Sequence, residues 1–233
     1  REEAEAERRW VACGAWASVE RSGGSLRVVA RLLRAFPDAR FVHLVRDGRD
    51  CALSMSRHYG FRMALLTAQL TEILGVDPYE SADRSRESDL PDALVPFLPE
   101  RFDGESFRRE DTPLPLCGLY WSGECMDGVR ELEAVSPSKR LVIRYEDLLS
   151  SPEATLHELM SFLGPDRVDA RWARRVAEKV RSPRSSWASL PPRALRELER
   201  ACRPGFEALG APYQDAWSPA PLIAPTEPVS APA

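Results

Sequence analysis

The sequence has no C-x-x-C pair, no apolar leader and no excess of positive charge. No apolar run approaches the roughly 20 residues that a bilayer span requires. Each absence removes a class of protein. Five cysteines (Cys13, Cys51, Cys117, Cys125, Cys202), odd in number and widely spaced, supply neither a disulfide frame nor a zinc site. They read as the reduced, packing cysteines of a cytosolic protein. With 36 acidic against 32 basic residues the net charge is −4. The broad positive field that drives nucleic-acid binding is therefore missing, and any anion site must be local. Without a span or a leader the chain is expected to be soluble. No internal repeat is present. The sequence opens on Arg1 rather than Met, so the chain is expected to be processed or cut from something longer.

What is present suffices for one substantial core with a small helical annex, since 43% of 233 residues are hydrophobic. Residues 1–12 suit a helix by propensity, and 16–20 a short strand, followed by the turn-forming run Arg21-Ser22-Gly23-Gly24-Ser25. Leu26, Val29, Leu32, Leu33 and Phe36 recur at helical spacing, with Ser25 as N-cap and Pro37-Asp38 as the stop. Residues 40–45 are a short β-branched and aromatic run that reads as a buried strand. It ends in Arg46-Asp47-Gly48-Arg49-Asp50, after which Ala52, Leu53, Met55 and Ser56 return to a helical pattern. Residues 62–75 read as a helix, 76–113 as a long irregular insertion or lid, and 116–134 as another helix. A second strand is predicted over 140–145. Ser151-Pro152-Glu153 then opens a helix with cap and first-turn proline in order, running to Leu163-Gly164. Helices near 166–180 and 192–209 flank a basic loop. One domain is expected over 1–211, and the Pro/Ala-rich tail 212–233 is expected to be disordered.

Helix, strand, polar turn, helix is the α/β signature, in which ligands sit beyond the carboxyl ends of the strands. Arg46 leaves the first strand at that end, Gly48 permits a tight turn, and Ser54 follows eight residues on. A guanidinium and a hydroxyl so placed can share a phosphate near helix N-terminal amides. The other reading of the same pentapeptide is a solvated turn whose Asp and Arg residues pair with one another.

The stretch from Phe36 to Ser54, centred on Phe41-Val42-His43-Leu44-Val45-Arg46-Asp47-Gly48-Arg49-Asp50, resembles the 3′-phosphate segment of sulfotransferases that use 3′-phosphoadenosine 5′-phosphosulfate (PAPS). The later stretch Arg144-Tyr145-Glu146-Asp147-Leu148, with Pro152 beyond it, resembles the strand-to-helix segment of the same family. The two together cover roughly residues 16–164. The resemblance implies an α/β fold of the P-loop-related, three-layer α/β/α type with a parallel sheet, incomplete at its N-terminus. It implies transfer of a sulfuryl group from PAPS to a hydroxyl or amine of a small-molecule or glycan acceptor, with no metal. Arg46 and Ser54 inherit the 3′-phosphate, and Tyr145 inherits a nucleotide contact or else simply covers a strand end. Glu146 and Asp147 read as helix-start carboxylates favoured by the dipole.

Three departures from the family pattern matter. Where cytosolic members carry Lys-Thr-His, an ungapped alignment puts Arg21 at the lysine and Gly23 at the histidine. Arg21 supplies a cation, and Glu20 is the nearest carboxylate for a base, or the two form a surface pair. No 5′-phosphosulfate loop precedes residue 20, so the chain is expected to bind PAPS weakly unless that loop lies upstream. The C-terminal glycine-rich segment is replaced by Arg181-Ser182-Pro183-Arg184-Ser185, where Arg181 and Arg184 either reach the 3′-phosphate or belong to a solvated loop. Tyr120 and Trp121 are expected in the core or in an acceptor wall, bordered by Arg57, Tyr59, Phe61 and Arg62. The rival functions are a catalytically inactive nucleotide-binding module, a phosphotransferase using Ser22-Gly23-Gly24-Ser25, and a helical scaffold.

Overall fold

A computed structural model describes residues 19, 25–164, 169–181 and 187–210. The readings for 1–12, for the run 20–24, for Arg184 and for the tail 212–233 lie outside the described residues. The chain enters through a 3-10 turn, Ser25–Val28, and continues as α1, Val29–Ala35. The cap sits at Val28 and makes no side-chain bond, so the helix starts later than the spacing of apolar residues predicts. Then come β1, Phe41–Val45, α2, Gly48–Met55, and α3, Tyr59–Leu74. α3 stops at Gly75, whose φ of 78° is the left-handed conformation that releases a chain from a helix.

Residues 76–113 hold 3-10 turns and one short helix, α4, Gly104–Arg109. α4 is capped by Asp103, which accepts from the amides of Glu105 and Ser106. This region has its own apolar cluster, in which Leu90, Phe97, Leu98 and Phe107 close over Leu66, Leu70 and Leu74 of α3. Arg62 pins it down, donating from Nε to Thr112 Oγ1 at 3.2 Å and from Nη2 to the carbonyls of Phe107 and Glu110. α5, Leu114–Glu133, leads to β2, Arg140–Arg144, and straight into α6, Tyr145–Ser150. α7, Pro152–Leu163, α8, Ala170–Ala177, and α9, Pro192–Leu209, complete the described elements. α9 runs through Pro204, which cannot donate a backbone bond.

β1 and β2 pair in parallel from Phe41↔Arg140 to Val45↔Arg144, so their carboxyl ends finish side by side. The principal core lies between this pair and helices α2, α5 and α9, with Val45, Ala52, Met55, Trp121, Cys125, Leu198, Cys202 and Phe206 at its centre. α5 and α9 approach closely because Gly118 has no side chain; a Cβ there would stand 3.0 Å from Ala201 and Leu198. Val42, Leu44 and Val142 keep exposed apolar side chains on the strand pair. The described architecture is thus helix-rich around a two-stranded parallel sheet, consistent with an α/β sulfotransferase fold. No described helix is long and apolar enough to cross a membrane.

Candidate nucleotide site

The site forms where β1 and β2 end. Both strands stop at the same level, each hands over to a helix, and the two connections are tied together: the Asp47 amide donates to Glu146 Oε1 at 2.9 Å. The two motifs, about a hundred residues apart, are therefore one structural unit. Glu146 acts here as a backbone acceptor that fixes one turn against the other.

Arg46 is the first residue beyond β1. Its guanidinium carbon lies 4.9 Å from the centre of the Tyr145 ring, a cation–π contact across the two strand ends. Its Nη2 is 3.8 Å from Asp50 Oδ2, the outer limit of an ion pair. Its Nε is buried and has no hydrogen-bond partner among the described residues. A buried, unsatisfied guanidinium N–H costs stability unless a ligand satisfies it, and a planar fork of this kind matches a phosphate. The donor set therefore fits an anion.

Asp47 and Arg49 pair, as the alternative reading of the turn expected, but they do so in the interior. Arg49 is only 3% exposed. Its Nε and Nη2 grip Asp47 Oδ1 and Oδ2 at 3.0 and 2.6 Å, and its Nη1 donates to Glu199 Oε1 at 3.2 Å. The Trp187 ring covers it, with the guanidinium carbon 3.7 Å from the ring centre. Burial acts to lower the Arg49 pKa, but the hydrogen bond and charge of Asp47, with Glu199 behind them, leave it raised. Arg49 is a permanent buried cation fully engaged in holding the turn. Asp47 also caps α2 by accepting from the Arg49 amide at 2.9 Å. Burial pushes the Asp50 carboxyl above its ordinary range, opposed by the Trp187 amide and by Arg46.

Gly48 meets a different demand. A Cβ there would stand 2.4 Å from Trp121 Cε3, so the turn lies directly on the indole. Trp121 belongs to the core, with 7% exposure.

Of the residues singled out in the sequence, Arg46 and Tyr145 are brought into contact. Ser54 is exposed on α2, one turn beyond Asp50, hence on the helix face that Asp50 turns toward Arg46. Arg181 is exposed and donates to the carbonyls of Glu178 and Val180 at the end of α8. Glu20, Arg21 and Arg184 lie outside the described residues. Pairing of Asp and Arg within 46–50 is one of the two readings of the turn, and the i,i+4 spacing of Arg46 and Asp50 carries it; Glu199 and Trp187, 150 and 137 residues away from their partners, have no local signal.

Beside the end of α2, His58 and Phe61 meet edge to face at 5.3 Å, and Phe61 lies 6.3 Å from Tyr120. Arg27 from the opening 3-10 turn joins Tyr120 and Glu124. The four described cysteines are free thiols. Burial raises Cys51 to about 12, Cys117 to about 11, Cys125 to about 12, and Cys202 likewise upward. None is a thiolate nucleophile at neutral pH.

Residues 5–102 match the model of the sulfotransferase family. The match includes the β1–α2 motif and stops short of the second motif at β2–α6. No curated protein and no solved structure matches the chain.

Proposed function

We propose that this chain, whose residues 5–102 match the sulfotransferase family model, binds PAPS and serves transfer of its sulfuryl group to a hydroxyl or amine acceptor, with adenosine 3′,5′-bisphosphate as the leaving group. The family match points to sulfuryl transfer as the general chemistry; the donor, the acceptor class and the residue roles are our reading. The observation that carries it is the Arg46 guanidinium, with its Nε buried and unsatisfied at the β1 carboxyl end and its face against Tyr145.

In this reading Arg46 holds the 3′-phosphate by charge-assisted hydrogen bonds, and Ser54 adds its hydroxyl from the next turn of α2. Tyr145 holds Arg46 from one side and offers the nucleotide its ring edge. Asp47, Arg49 and Glu146 touch no ligand; they keep the two strand ends in register. PAPS supplies the reactive sulfuryl group, whose bond to the 5′-phosphate breaks as the bond to the acceptor oxygen or nitrogen forms. The protein's task is then to fix cations where charge builds and to take the acceptor's proton. Arg21 and Glu20 are assigned to these roles.

Fold details follow the same reading. The exposed apolar Val42, Leu44 and Val142 suit a parallel sheet whose faces are covered by further layers, as in a three-layer, P-loop-related domain. We assign residues 1–211 to that single domain, 212–233 to a tail, and the whole to the cytoplasm. The Phe61 and Tyr120 rings, in edge contact, are assigned to one wall of the acceptor site, and the acceptor to a small molecule or a glycan.

Calorimetric titration of the chain with adenosine 3′,5′-bisphosphate tests the proposal. Saturable binding, with adenosine 5′-monophosphate at least about tenfold weaker because the Arg46–phosphate bond is lost, is the expected result. Equal binding of the two nucleotides, or none, overturns it. Gly23 at the histidine position supports a second reading, a binding module without catalysis; it shares the titration result and differs in giving no sulfate transfer from PAPS.

A further inference from the structure

Asp50 stands between two claims. Its Oδ2 faces Arg46 Nη2 at 3.8 Å, while its Oδ1 accepts from the Trp187 amide at 3.0 Å. Arginine and carboxylate ordinarily close into a two-bond fork at about 2.7–2.9 Å, and the same turn shows one such fork between Arg49 and Asp47. The Arg46–Asp50 pair stops well short of that geometry although Arg46 precedes α2 by only two residues and Asp50 lies in the first turn of that helix.

We infer that Trp187 is a positioning residue for the 3′-phosphate site: it holds the Asp50 carboxylate back from Arg46, keeping that guanidinium open for phosphate. The inference rests on the reading of Arg46 given above. A carboxylate with one oxygen tied to a fixed N–H cannot swing both oxygens onto a neighbouring guanidinium. The N–H is fixed by its own side chain. Trp187–Ser189 is a single 3-10 turn with little internal stability. Its indole is seated 3.7 Å from the centre of the Arg49 guanidinium. Arg49 is itself immobilised by Asp47 and Glu199. The second arginine of the turn therefore acts on the first through a tryptophan and an aspartate. Removing the ring frees the N–H, and Asp50 then closes on Arg46 and competes with phosphate for it.

The test compares dissociation constants for adenosine 3′,5′-bisphosphate and adenosine 5′-monophosphate in the full chain. Trp187→Leu keeps apolar bulk but loses the π face; Trp187→Phe keeps both. The Leu variant is expected to lose about fivefold to thirtyfold in affinity for the bisphosphate, the range of a cation–π contact from exposed to desolvated, with no change for the monophosphate. The Phe variant is expected to retain wild-type affinity. Asp50→Ala in the Trp187→Leu background is expected to restore bisphosphate binding, because the competing carboxylate is gone. Equal loss for both nucleotides, no loss, or no rescue by the second substitution overturns the inference. If Trp187→Leu does not fold, Asp50→Ala alone decides: bisphosphate binding at least as tight as wild type agrees, and weaker binding contradicts. Should the wild-type chain fail to distinguish the two nucleotides, it is the Arg46 reading itself that has failed.

Discussion

Replacing Gly48 by alanine adds one methyl group at the point where the site rests on the core. The new Cβ would lie 2.4, 2.5 and 2.7 Å from Cε3, Cζ3 and Cδ2 of Trp121, about 1 Å inside ordinary carbon–carbon contact. The indole has no room to retreat. A Cβ at Gly205 would stand 2.5 Å from Trp121 Cζ3, and the Phe206 ring lies 4.9 Å from the indole. Overpacking of this kind costs about 1–3 kcal/mol, and the locked ring places Gly48→Ala near the upper end. Alanine in place of glycine within a helix returns up to about 1 kcal/mol. The net is about 2 kcal/mol, or a Tm lowered by about 4–8 °C for a chain of this length. Thermal denaturation followed by circular dichroism measures it. A Gly48→Ala/Trp121→Phe double variant should lose less than the sum of the singles, since a smaller ring yields the space; a coupling of about 1 kcal/mol or more is expected for residues in contact. An unchanged Tm for Gly48→Ala, or strictly additive effects in the double variant, refutes the wedge.

Two further predictions concern pH. Burial lowers the pKa of His43, which is 8% exposed on β1. The unfolded chain then binds a proton more readily than the folded one below the ordinary value of 6.5, so stability falls as pH drops through the depressed folded value. Urea denaturation at pH 7 and pH 5 should show this loss, and His43→Gln should reduce it; an identical pH slope in the variant contradicts the assignment. In the 76–113 region, Arg84 holds the Glu100 carboxyl down to about 2 through hydrogen bonds at 2.7 and 2.9 Å. Its stabilising contribution is present above the ordinary 4.5 and is lost as pH falls toward about 2. Carboxyl NMR titration should show Glu100 returning upward in Arg84→Ala; an unmoved titration curve contradicts the pair.

The strands and long helices were legible because their signals are local. The β-branched and aromatic run at 40–45 and its counterpart at 140–145 gave β1 and β2 within a residue, each terminated by charged turn residues. The helix through 192–209 was placed despite Pro204 because its apolar spacing continues on both sides. The start of α6 was signalled by Glu146 and Asp147 as first-turn carboxylates, but its first residue, Tyr145, reads as the end of the strand because no cap or breaker separates the two. α4 carried an overlooked signal: Asp103-Gly104-Glu105-Ser106 is a cap followed by acidic first-turn residues. The separate apolar cluster over α3 was masked by prolines and charges that interrupt any simple period.

The site divides along the same line. Arg46 stood out as the residue leaving a strand and Tyr145 through the family resemblance; their contact follows because parallel pairing brings the two strand ends together. The contacts of Arg49 with Glu199 and of Asp50 with Trp187 were not readable, because the partners lie 150 and 137 residues away. A charged pentapeptide looks the same whether its members face water or one another. Burial of Arg49 decides the matter, and burial is a property of the packed α2–α5–α9 assembly.

The central claim is that Arg46 receives a 3′-phosphate. Its most direct test is the dissociation constant for adenosine 3′,5′-bisphosphate in the wild-type chain and in Arg46→Ala, measured beside adenosine 5′-monophosphate. Loss of one charge-assisted phosphate contact of about 1.5–3 kcal/mol predicts bisphosphate binding weakened by about tenfold to a hundredfold, with the monophosphate unaffected. Equal bisphosphate affinity in the two proteins contradicts the account.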